Sequence, residues 1–368
     1  RNLDPSQYSR VRPMLDRLIR FNVSIEAMLT RNNPGTVFVD HSDAPHVVLI
    51  MTPEGSYLAG ETASAAQISM LKNHVVHLME NEGIEALWLT CDPAWQRQPL
   101  LDNFLPRPPL PIARQHYVCA VPAFDWRSHV PDGFAVHRID PALLARADLT
   151  FPDHVHDWIE NNWGTPKDFF ARGFGFVTET LDAHKVVSWS LCDCISDNAC
   201  EIGIHTHADY RRQGLAALTS AAAVDYALAQ GLSSVGWHCN ADNVGSQYTA
   251  LRVGFTFERD YVSFAAFRRE AVHWAEAGRL QEVAGDYRAA AEHYIRADAC
   301  GDKPAWGSYI PFYATCAFAK FGDYDSAWMW LHRAVTQGFD DVDTLQSAAA
   351  LTPMQAVPAW DRLLQAIG

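Results

Sequence analysis

Two adjacent arginines and a glycine carry the clearest chemistry in this sequence. Arg211 and Arg212 supply positive charge. Gly214 and Ala216 follow them, and their side chains are too small to keep a ligand away from the backbone. Because an anion needs both positive charge and accessible N–H groups, the segment 210–216 predicts a phosphate-binding turn.

The elements around this turn place it between a strand and a helix. Residues 200–206 have a strand-like pattern, and the alanine-rich run 216–229 is typical of a helix. The first N–H groups of a helix have no intrahelical partner, and the helix dipole adds partial positive charge there. Backbone, dipole and arginines are therefore expected to act on the same anion.

A second polar segment follows the helix. Asn243 and Ser246 have Asn-x-x-Ser spacing ahead of a short helical run that ends at Gly254-Phe255. Asn243 as a plain helix N-cap is an equally good explanation of that residue. Together the strand, turn, helix and Asn-x-x-Ser resemble the acyl-CoA-binding core of the GCN5-related N-acetyltransferase (GNAT) superfamily, whose signature is Arg/Gln-x-x-Gly-x-Gly/Ala.

The resemblance implies acetyl-CoA as co-substrate and no metal ion. It places the pyrophosphate on backbone N–H groups of the turn, and the pantetheine arm along the edge of the preceding strand. A bulge in that strand would leave one N–H free for the thioester carbonyl. The CoA-binding residues implied are Ile204, His205, Thr206, Arg211, Arg212, Gln213, Gly214, Leu215, Ala216, Asn243 and Ser246.

Transfer to an amine also needs a base, since a free ammonium group has a pKa of about 10. Glu201 and His205 share one face of the predicted strand. A glutamate on this strand is the base in several relatives, so Glu201 is the first candidate and His205 the second. Either residue could instead be a satisfied polar group in the cleft. The tyrosine that acts as general acid in many relatives corresponds to Ala250, and Tyr248 lies on another side of the helix.

An acidic and aromatic helical region is the expected wall of the acceptor site, by analogy with the fold. Carboxylates beside aromatic rings favour a cationic amine through charge pairing and cation–π contact. An ordinary amphipathic helix is the alternative explanation. The predicted substrate residues are Asp153, His156, Asp157 and Glu160.

The composition limits the classes of partner. The chain has 368 residues, of which 48% are hydrophobic and 20% charged, and its formal net charge is −14. This acidic balance argues against nucleic acid or an anionic membrane surface as a partner. Because no apolar run reaches the length of a membrane span and no signal peptide is evident, we expect a cytoplasmic protein.

The cysteines raise the question of a metal site. Cys192 and Cys194, with Cys200 nearby, could be read as zinc ligands. They lie in an apolar strand pattern, however, where residues two apart merely share a face. We therefore expect buried reduced thiols.

Three blocks are predicted along the chain. Residues 1–130 have the order of elements of a worn, non-binding copy of the acetyltransferase fold, although an unrelated α/β cap is the alternative. Residues 131–268 form the catalytic block. Residues 269–368 are helical, and Gly285-Asp286-Tyr287 recurs as Gly322-Asp323-Tyr324, which resembles tetratricopeptide-type (TPR-like) hairpins.

The expected fold class is thus α/β (α+β). Two GNAT folds stand in tandem on a mixed, mostly antiparallel sheet and are followed by an all-α, TPR-like domain. This tail is expected to be a structural cap or a homodimer contact, with a peptide-binding groove as the alternative.

The sequence Ser188-Trp189-Ser190 resembles the subgroup of this superfamily that includes zwittermicin-type antibiotic N-acetyltransferases, and so does the spacing from Thr206 to Gly214. In that subgroup an inactive half precedes the active one. We therefore predict acetyl-CoA-dependent N-acetylation of a small cationic amine, with an antibiotic as one candidate. Two alternatives stay open: an enzyme acting on peptide or protein N termini recruited by the tail, and a CoA-binding sensor or scaffold without turnover.

Overall fold

The computed structural model describes residues 1–60, 64–81, 83–93 and 107–367. One sheet of eleven strands dominates it, in the order β1-β2-β3-β4-β11-β5-β10-β9-β8-β7-β6. The strands are β1 (Thr36–Val39), β2 (Val47–Thr52), β3 (Gly55–Gly60), β4 (Ala86–Cys91), β5 (Leu110–Cys119), β6 (Phe134–Arg138), β7 (Gly175–Thr180), β8 (Lys185–Ile195), β9 (Ala199–Thr206), β10 (Ser234–Asn240) and β11 (Thr256–Phe267).

Helices connect these strands and make up the C-terminal part of the chain. The α-helices are α1 (Asp16–Ile19), α2 (Val23–Leu29), α3 (Ala65–Asn81), α4 (Pro141–Leu144), α5 (Asp153–Trp163), α6 (Pro166–Arg172), α7 (Leu215–Ala229), α8 (Val244–Val253), α9 (Glu270–Val283), α10 (Tyr287–Ala299), α11 (Tyr309–Lys320), α12 (Tyr324–Thr336), α13 (Val342–Ser347), α14 (Thr352–Gln355) and α15 (Pro358–Ile367). The predicted mixed α/β class with a helical C-terminal region is therefore confirmed.

In two pairs of adjacent strands, β3 with β4 and β9 with β10, the strands run parallel to each other. A parallel pair needs a crossover connection, and helices α3 and α7 stand in those two connections. The other pairs of known register are antiparallel. The sheet is thus mixed and mostly antiparallel, as predicted.

The sheet joins the two predicted acetyltransferase halves by exchanging their last strands. β5, at the end of the first half, pairs with β10 of the second, from Cys119 opposite Val235 to Arg114 opposite Asn240. β11, at the end of the second half, lies between β4 and β5. Each half is therefore completed next to the other, while the predicted boundaries at 130 and 268 stay predictions.

The alanine-rich sequence of α7 explains its close packing on the sheet. Ala217, Ala221 and Ala227 are almost inaccessible and belong to the same core cluster as Trp237 and Phe255. Small side chains let a helix axis approach the sheet closely, so the start of α7 is held firmly at the end of β9. That start is the predicted phosphate-binding turn.

By contact density the described residues form two compact units. One comprises the described parts of Arg1–Asn73, Trp88–Phe104 and Pro111–Phe264. The other comprises those of His74–Leu87, Leu105–Leu110 and Ala265–Gly368.

The second unit contains the predicted helical repeat. Gly285 (φ 80°) follows α9, and Gly322 (φ 85°) follows α11. In each case the next residue, Asp286 or Asp323, caps the following helix by accepting a backbone N–H. The recurring Gly-Asp-Tyr sequence is therefore one turn used twice between paired helices. Within the described residues no helix has both the length and the apolar character needed to cross a bilayer.

Candidate active site

The predicted phosphate-binding turn has the geometry of an open anion site. β9 ends at Thr206 and α7 begins at Leu215, with Gly214 (φ 83°) as its N-cap residue. Arg212 (φ 63°) also lies in the left-handed region, so the chain turns sharply here. No side chain caps α7. Its first N–H groups are therefore available to an anion.

Arginine side chains surround this turn. Arg211 donates from Nε to the carbonyl oxygen of Thr206 over 3.1 Å, which ties its side chain to the end of β9. A Cβ atom on Gly214 would lie 3.3 Å from two guanidinium nitrogens of Arg252, on α8. Positive charge therefore reaches the start of α7 from the turn itself and from the next helix.

These groups line a cleft of about 800 Å³, which we call the turn cleft. Most of the predicted CoA-binding residues line it, namely Ile204, His205, Thr206, Arg211, Arg212, Gly214, Leu215, Ala216, Asn243 and Ser246. Gln213 does not; its side-chain amide lies 3.5 Å from the carbonyl oxygen of Asp209. The lining residues that were not among the predicted CoA-binding residues are Tyr210, Ala217, Gly245, Tyr248, Thr249 and Arg252.

Asn243 and Ser246 have structural partners as well as positions in the cleft. The side-chain oxygen of Asn243 accepts the N–H of Ser246 over 3.1 Å, so Asn243 is the N-cap of α8. The hydroxyl of Ser246 accepts the indole N–H of Trp237 over 2.9 Å. Asn243 is therefore a helix N-cap that also lines the turn cleft, while its contact with CoA stays a prediction.

Strands β9 and β10 separate towards the turn cleft. Their parallel register covers only Ala199 to Glu201 on β9, opposite Ser234 to Gly236 on β10. On its other edge β9 stays paired with β8 as far as Thr206. The paired register between the two strands ends at Glu201, and the following residues Ile204, His205 and Thr206 of β9 line the turn cleft. The irregularity in register lies between Cys192 and Cys194 of β8, and not in β9 where a bulge was expected.

Glu201 stands at the point where the two strands begin to separate. It is buried, with 3% of its surface exposed. Its Oε1 accepts the N–H of Val23 over 2.6 Å and lies 3.2 Å from Nε2 of His238. Its Oε2 lies 3.4 Å from the thiol of Cys194. Burial raises the pKa of Glu201, but the interactions led by His238, together with the hydrogen bond from the N–H of Val23, outweigh burial and lower the pKa below its usual value, so the carboxylate is ionised at neutral pH.

A chain of polar side chains leads from Glu201 across the sheet. Nδ1 of His238 lies 2.9 Å from the hydroxyl of Tyr261, and Nε of Arg114 donates to that hydroxyl over 2.9 Å. The ring of His116 stacks on His238 with centroids 4.3 Å apart. Burial, followed by His238, lowers the pKa of His116 to about 4, so this imidazole is uncharged at neutral pH.

These groups border a second cavity, of about 300 Å³, which we call the acidic cavity. Carboxylates, aromatic rings and one arginine line it. Its lining is Asn22, Pro53, Glu54, Gly55, Tyr57, Trp88, Thr90, Arg114, Glu201, His238, Tyr261 and Ser263. The two halves of the sheet contribute to it together, because β5 and β11 cross between them.

His205 lies in the turn cleft and not beside Glu201. Its ring stacks on Trp189, with centroids 4.6 Å apart, and lies 5.1 Å from the ring of His154. Burial first, then His154 and Arg211, lower the pKa of His205. Its imidazole is therefore uncharged at neutral pH. The two candidate bases therefore line different cavities: His205 lines the turn cleft and Glu201 lines the acidic cavity.

The predicted acceptor wall lies on the outer side of α5. Its four polar residues are exposed and line neither the turn cleft nor the acidic cavity: Asp153, His156, Asp157 and Glu160. The inner side of α5 carries Trp158 and Asn162 instead, and both donate to Oδ1 of Asp193, over 2.6 and 3.1 Å. The predicted substrate role of the four outer residues stays a prediction.

The residue at the family's tyrosine position and three cysteines, Cys192, Cys194 and Cys200, are buried. Ala250 is fully buried on α8, whereas Tyr248 is exposed and lines the turn cleft. Cys192, Cys194 and Cys200 are buried thiols. Across the described part of the chain, no cluster of His, Cys, Asp and Glu side chains has the arrangement of a metal site.

Comparisons with known proteins bear on this geometry. A model of the family described as GNAT acetyltransferase matches residues 20–264. An uncharacterised N-acetyltransferase of Bacillus subtilis (strain 168), YdfB, is 22% identical over 265 residues, which cover 71% of this chain and 97% of that protein.

Two solved structures are also similar. A GCN5-related N-acetyltransferase-like protein from Streptococcus suis 89/1591 has a TM-score of 0.49 and 20% identity, and the match covers 68% of this chain and 98% of that one. A tandem GNAT protein from the clavulanic acid biosynthesis pathway has a TM-score of 0.46 and 10% identity, and the match covers 72% and 96%.

Proposed function

The chain belongs to the GNAT acetyltransferase family, and on that premise we propose that it transfers the acetyl group of acetyl-CoA directly to a primary amine of a small cationic molecule. One observation carries the proposal: the turn cleft, where the uncapped start of α7, three arginines and the separated edge of β9 meet. Each of these features matches one part of CoA.

The residues of the turn cleft fit CoA chemically. The N–H groups at the start of α7, with Arg211 and Arg252, would hold the pyrophosphate. The edge of β9 beyond Glu201 would pair with the amides of pantetheine as a further strand would. When bound, acetyl-CoA supplies an activated thioester, so the protein needs only to orient the amine and to take up its proton.

We propose that Glu201 takes the proton of the acceptor ammonium. It is ionised, it lies where β9 and β10 separate, and it borders the acidic cavity. Its lowered pKa makes it a weak base, so a proton taken from the ammonium has to be passed on to a neighbouring group. His238 lies 3.2 Å from Glu201 and is the nearest group that could receive it. His205, uncharged and in the turn cleft, is the second candidate base.

The departing thiolate of CoA has no buried tyrosine to protonate it. The family position is occupied by Ala250, so this proton comes from water or from Tyr248, which lines the turn cleft. A thiolate is a good enough leaving group for either source. The absence of the family tyrosine therefore does not prevent turnover.

The nature of the acceptor follows from charge. The net charge of −14 and the carboxylates of the acidic cavity both favour a cationic amine over a neutral or anionic one. An antibiotic amine is one candidate, since the tandem arrangement resembles zwittermicin-type resistance enzymes. Buried thiols and a need for acetyl-CoA are in keeping with a cytoplasmic location.

The tail is the basis of the alternative function. Its recurring Gly-Asp-Tyr turn between paired helices is in keeping with TPR-like hairpins, some of which bind peptides. We propose that it acts as a structural cap or a homodimer contact. An enzyme that acetylates peptide N termini recruited by the tail is the second candidate.

An acceptor screen tests this function. The full chain is incubated with acetyl-CoA and either small primary amines or short peptides, and released CoA thiol and product mass are measured. We expect CoA release that depends on a small cationic amine, with one acetyl group added to it. Release only with peptides would favour the recruiting enzyme. Tight acetyl-CoA binding without release with any acceptor would favour a sensor.

A further inference from the structure

The acidic cavity combines side chains from both halves of the sheet, whereas the predicted phosphate-binding turn lies in the second half. Glu54 and Tyr57 come from the first half, and Glu201 and His238 from the second. We propose that the acceptor ammonium binds in this cavity and that Glu54, from the first half, makes the enzyme select cationic acceptors. The inference rests on the proposed acetyltransferase function and gives the first half a direct part in it.

The position of Glu54 suits a ligand-binding residue. It lies in the tight turn between β2 and β3, which is closed by a hydrogen bond from the hydroxyl of Thr52 to the carbonyl oxygen of Gly55 over 3.1 Å. Pro53 precedes it and restricts the backbone. The side chain of Glu54 keeps much of its accessible surface because it faces the acidic cavity. Its backbone is therefore fixed by the turn, and its side chain borders the acidic cavity.

The other carboxylate of the cavity is already engaged. Glu201 is held by the N–H of Val23, by His238 and by the thiol of Cys194. A carboxylate with these partners has little capacity left to bind a ligand tightly, but it can still receive a proton. Recognition of the cation therefore falls to Glu54 and proton transfer to Glu201.

Electrostatics reinforce this division. Glu54 keeps accessible surface at the cavity, but protein atoms surround its carboxylate; this desolvation first, and then the charge of Glu201, raise the pKa of Glu54 to about 7, while Arg114 and the side chain of Asn162 lower it. An ammonium in the cavity would relieve the repulsion between the two carboxylates and lower the pKa of Glu54 again. The titratable and charged groups that surround Glu54, each on a different strand, are Tyr57, Arg114, Asp193, Glu201, His238 and Tyr261.

The size of the cavity limits what it can admit. A volume of about 300 Å³ equals about ten water molecules at their liquid volume of ~30 Å³ each. Tyr57, Trp88 and Tyr261 form aromatic parts of the wall, which suit the faces of a cation or of its alkyl stem. The cavity therefore fits an aminoalkyl or aminated ring group and not a folded polypeptide.

Steady-state kinetics of Glu54→Gln test the proposal. The probes are 1,4-diaminobutane, spermidine, tyramine and glucosamine, with acetyl-CoA at saturation. Glu54→Gln should raise the amine KM about tenfold or more, the loss of a hydrogen bond to a charged group, with kcat and the acetyl-CoA Kd little changed. Glu54→Asp should restore part of the affinity. Glu292→Gln, the same change at an exposed site on α10, is the matched control.

Calorimetry of the same amines in two buffers of different ionisation enthalpy gives a readout apart from turnover. At pH 7 the wild-type chain should release about half a proton on binding a cationic amine, and Glu54→Gln should release none. Turnover with an unchanged KM and unchanged proton release in Glu54→Gln would overturn the role of Glu54 alone. Acetyl-CoA binding with neither turnover nor amine binding would overturn the acceptor site and the proposed function together. Amine binding with proton release but no turnover would support the site and overturn the function.

Discussion

The two strand–turn–helix units of the sheet, β3–α3 and β9–α7, are built alike but start their helices differently. In each unit a strand leads into a helix that crosses to a parallel neighbour, β4 or β10. The turn before α3 has no arginine, whereas the turn before α7 has two. We propose that the difference in the first turn of each helix decides whether the unit binds an anion.

Side chains close the start of α3. The hydroxyl of Ser64 accepts the N–H of Gln67 over 3.3 Å, and the side-chain oxygen of Gln67 accepts the N–H of Ser64 over 2.7 Å. This reciprocal pair is a capping box. The amide of Gln67 also donates to the carboxylate of Asp40 over 2.6 Å. An anion approaching α3 would therefore meet occupied donors and a negative charge.

The start of α7 is the opposite case. Gly214 caps the helix without a side chain, and Arg211, Arg212 and Arg252 surround it. The contrast teaches that the fold supplies the strand, the crossover and the helix dipole to both halves. Whether such a joint binds an anion is decided by a few residues at the helix start, so we expect one acetyl-CoA site per chain.

The largest predicted effect is the loss of acetyl-CoA affinity when the open turn before α7 is closed by a side chain. Gly214→Asp adds a carboxylate at a left-handed position, next to the N–H groups that an anion would use. Acetyl-CoA affinity should fall at least about 150-fold, the equivalent of two charge-assisted hydrogen bonds. Calorimetric titration should show one binding event per chain in the wild type and none in the variant. Two events in the wild type would mean that the first half binds as well.

A second prediction concerns the point where β9 and β10 separate. Glu201→Gln should lower kcat about 100-fold, since it removes the group placed to take the acceptor proton, and should leave the acetyl-CoA Kd unchanged. Because deprotonation would then depend on free amine in solution, the pH–rate profile should shift towards higher pH. An unchanged rate would transfer the role to His205 or to water. Glu292→Gln serves as the control for the amide substitution.

Removing one arginine should have a smaller effect than closing the turn. Arg211→Ala should weaken acetyl-CoA binding about tenfold to 100-fold, because one charge-assisted contact is lost while the N–H groups of α7 remain. Titration at two salt concentrations should also show a weaker salt dependence in the variant. Arg172→Ala, an exposed arginine on α6, is the matched control. Equal affinity of Arg211→Ala and wild type would remove Arg211 from the phosphate site.

The contrast also marks what the sequence could and could not foretell. The turn, β9, α7 and the Asn-x-x-Ser start of α8 are local patterns, and ten of the eleven predicted CoA-binding residues line one cleft. Arg252 was missed because its approach to Gly214 depends on how α7 and α8 cross. The sequence of a single segment does not predict how these two helices cross.

The acidic cavity was beyond local reasoning altogether. Glu54 comes from the turn between β2 and β3, and Arg114, His238 and Tyr261 come from strands far apart in the chain; the exchange of β5 and β11 between the halves brings these parts of the sheet together. The sequence instead drew attention to the polar side of α5. That side is solvent-exposed, as is usual when a helix packs its apolar side on a sheet. The sequence around Glu54 and Glu201 has no periodic pattern that would predict their meeting, because strand exchange brings them together.

The smallest predicted effect tests whether the capping box alone prevents the first half from binding acetyl-CoA. Ser64→Ala removes the hydroxyl that accepts the N–H of Gln67. It should destabilise the protein by about 1 kcal/mol, the usual loss for an N-cap, which thermal denaturation would detect as a lowered Tm. Ser233→Ala, at an exposed loop position, is the control. Acetyl-CoA should still bind once per chain, because the freed N–H of Gln67 lies in a residue that contacts Asp40 and the turn contains no arginine. A second binding event in Ser64→Ala would show instead that the cap was the only barrier, and that the two halves differ by less than their charges imply.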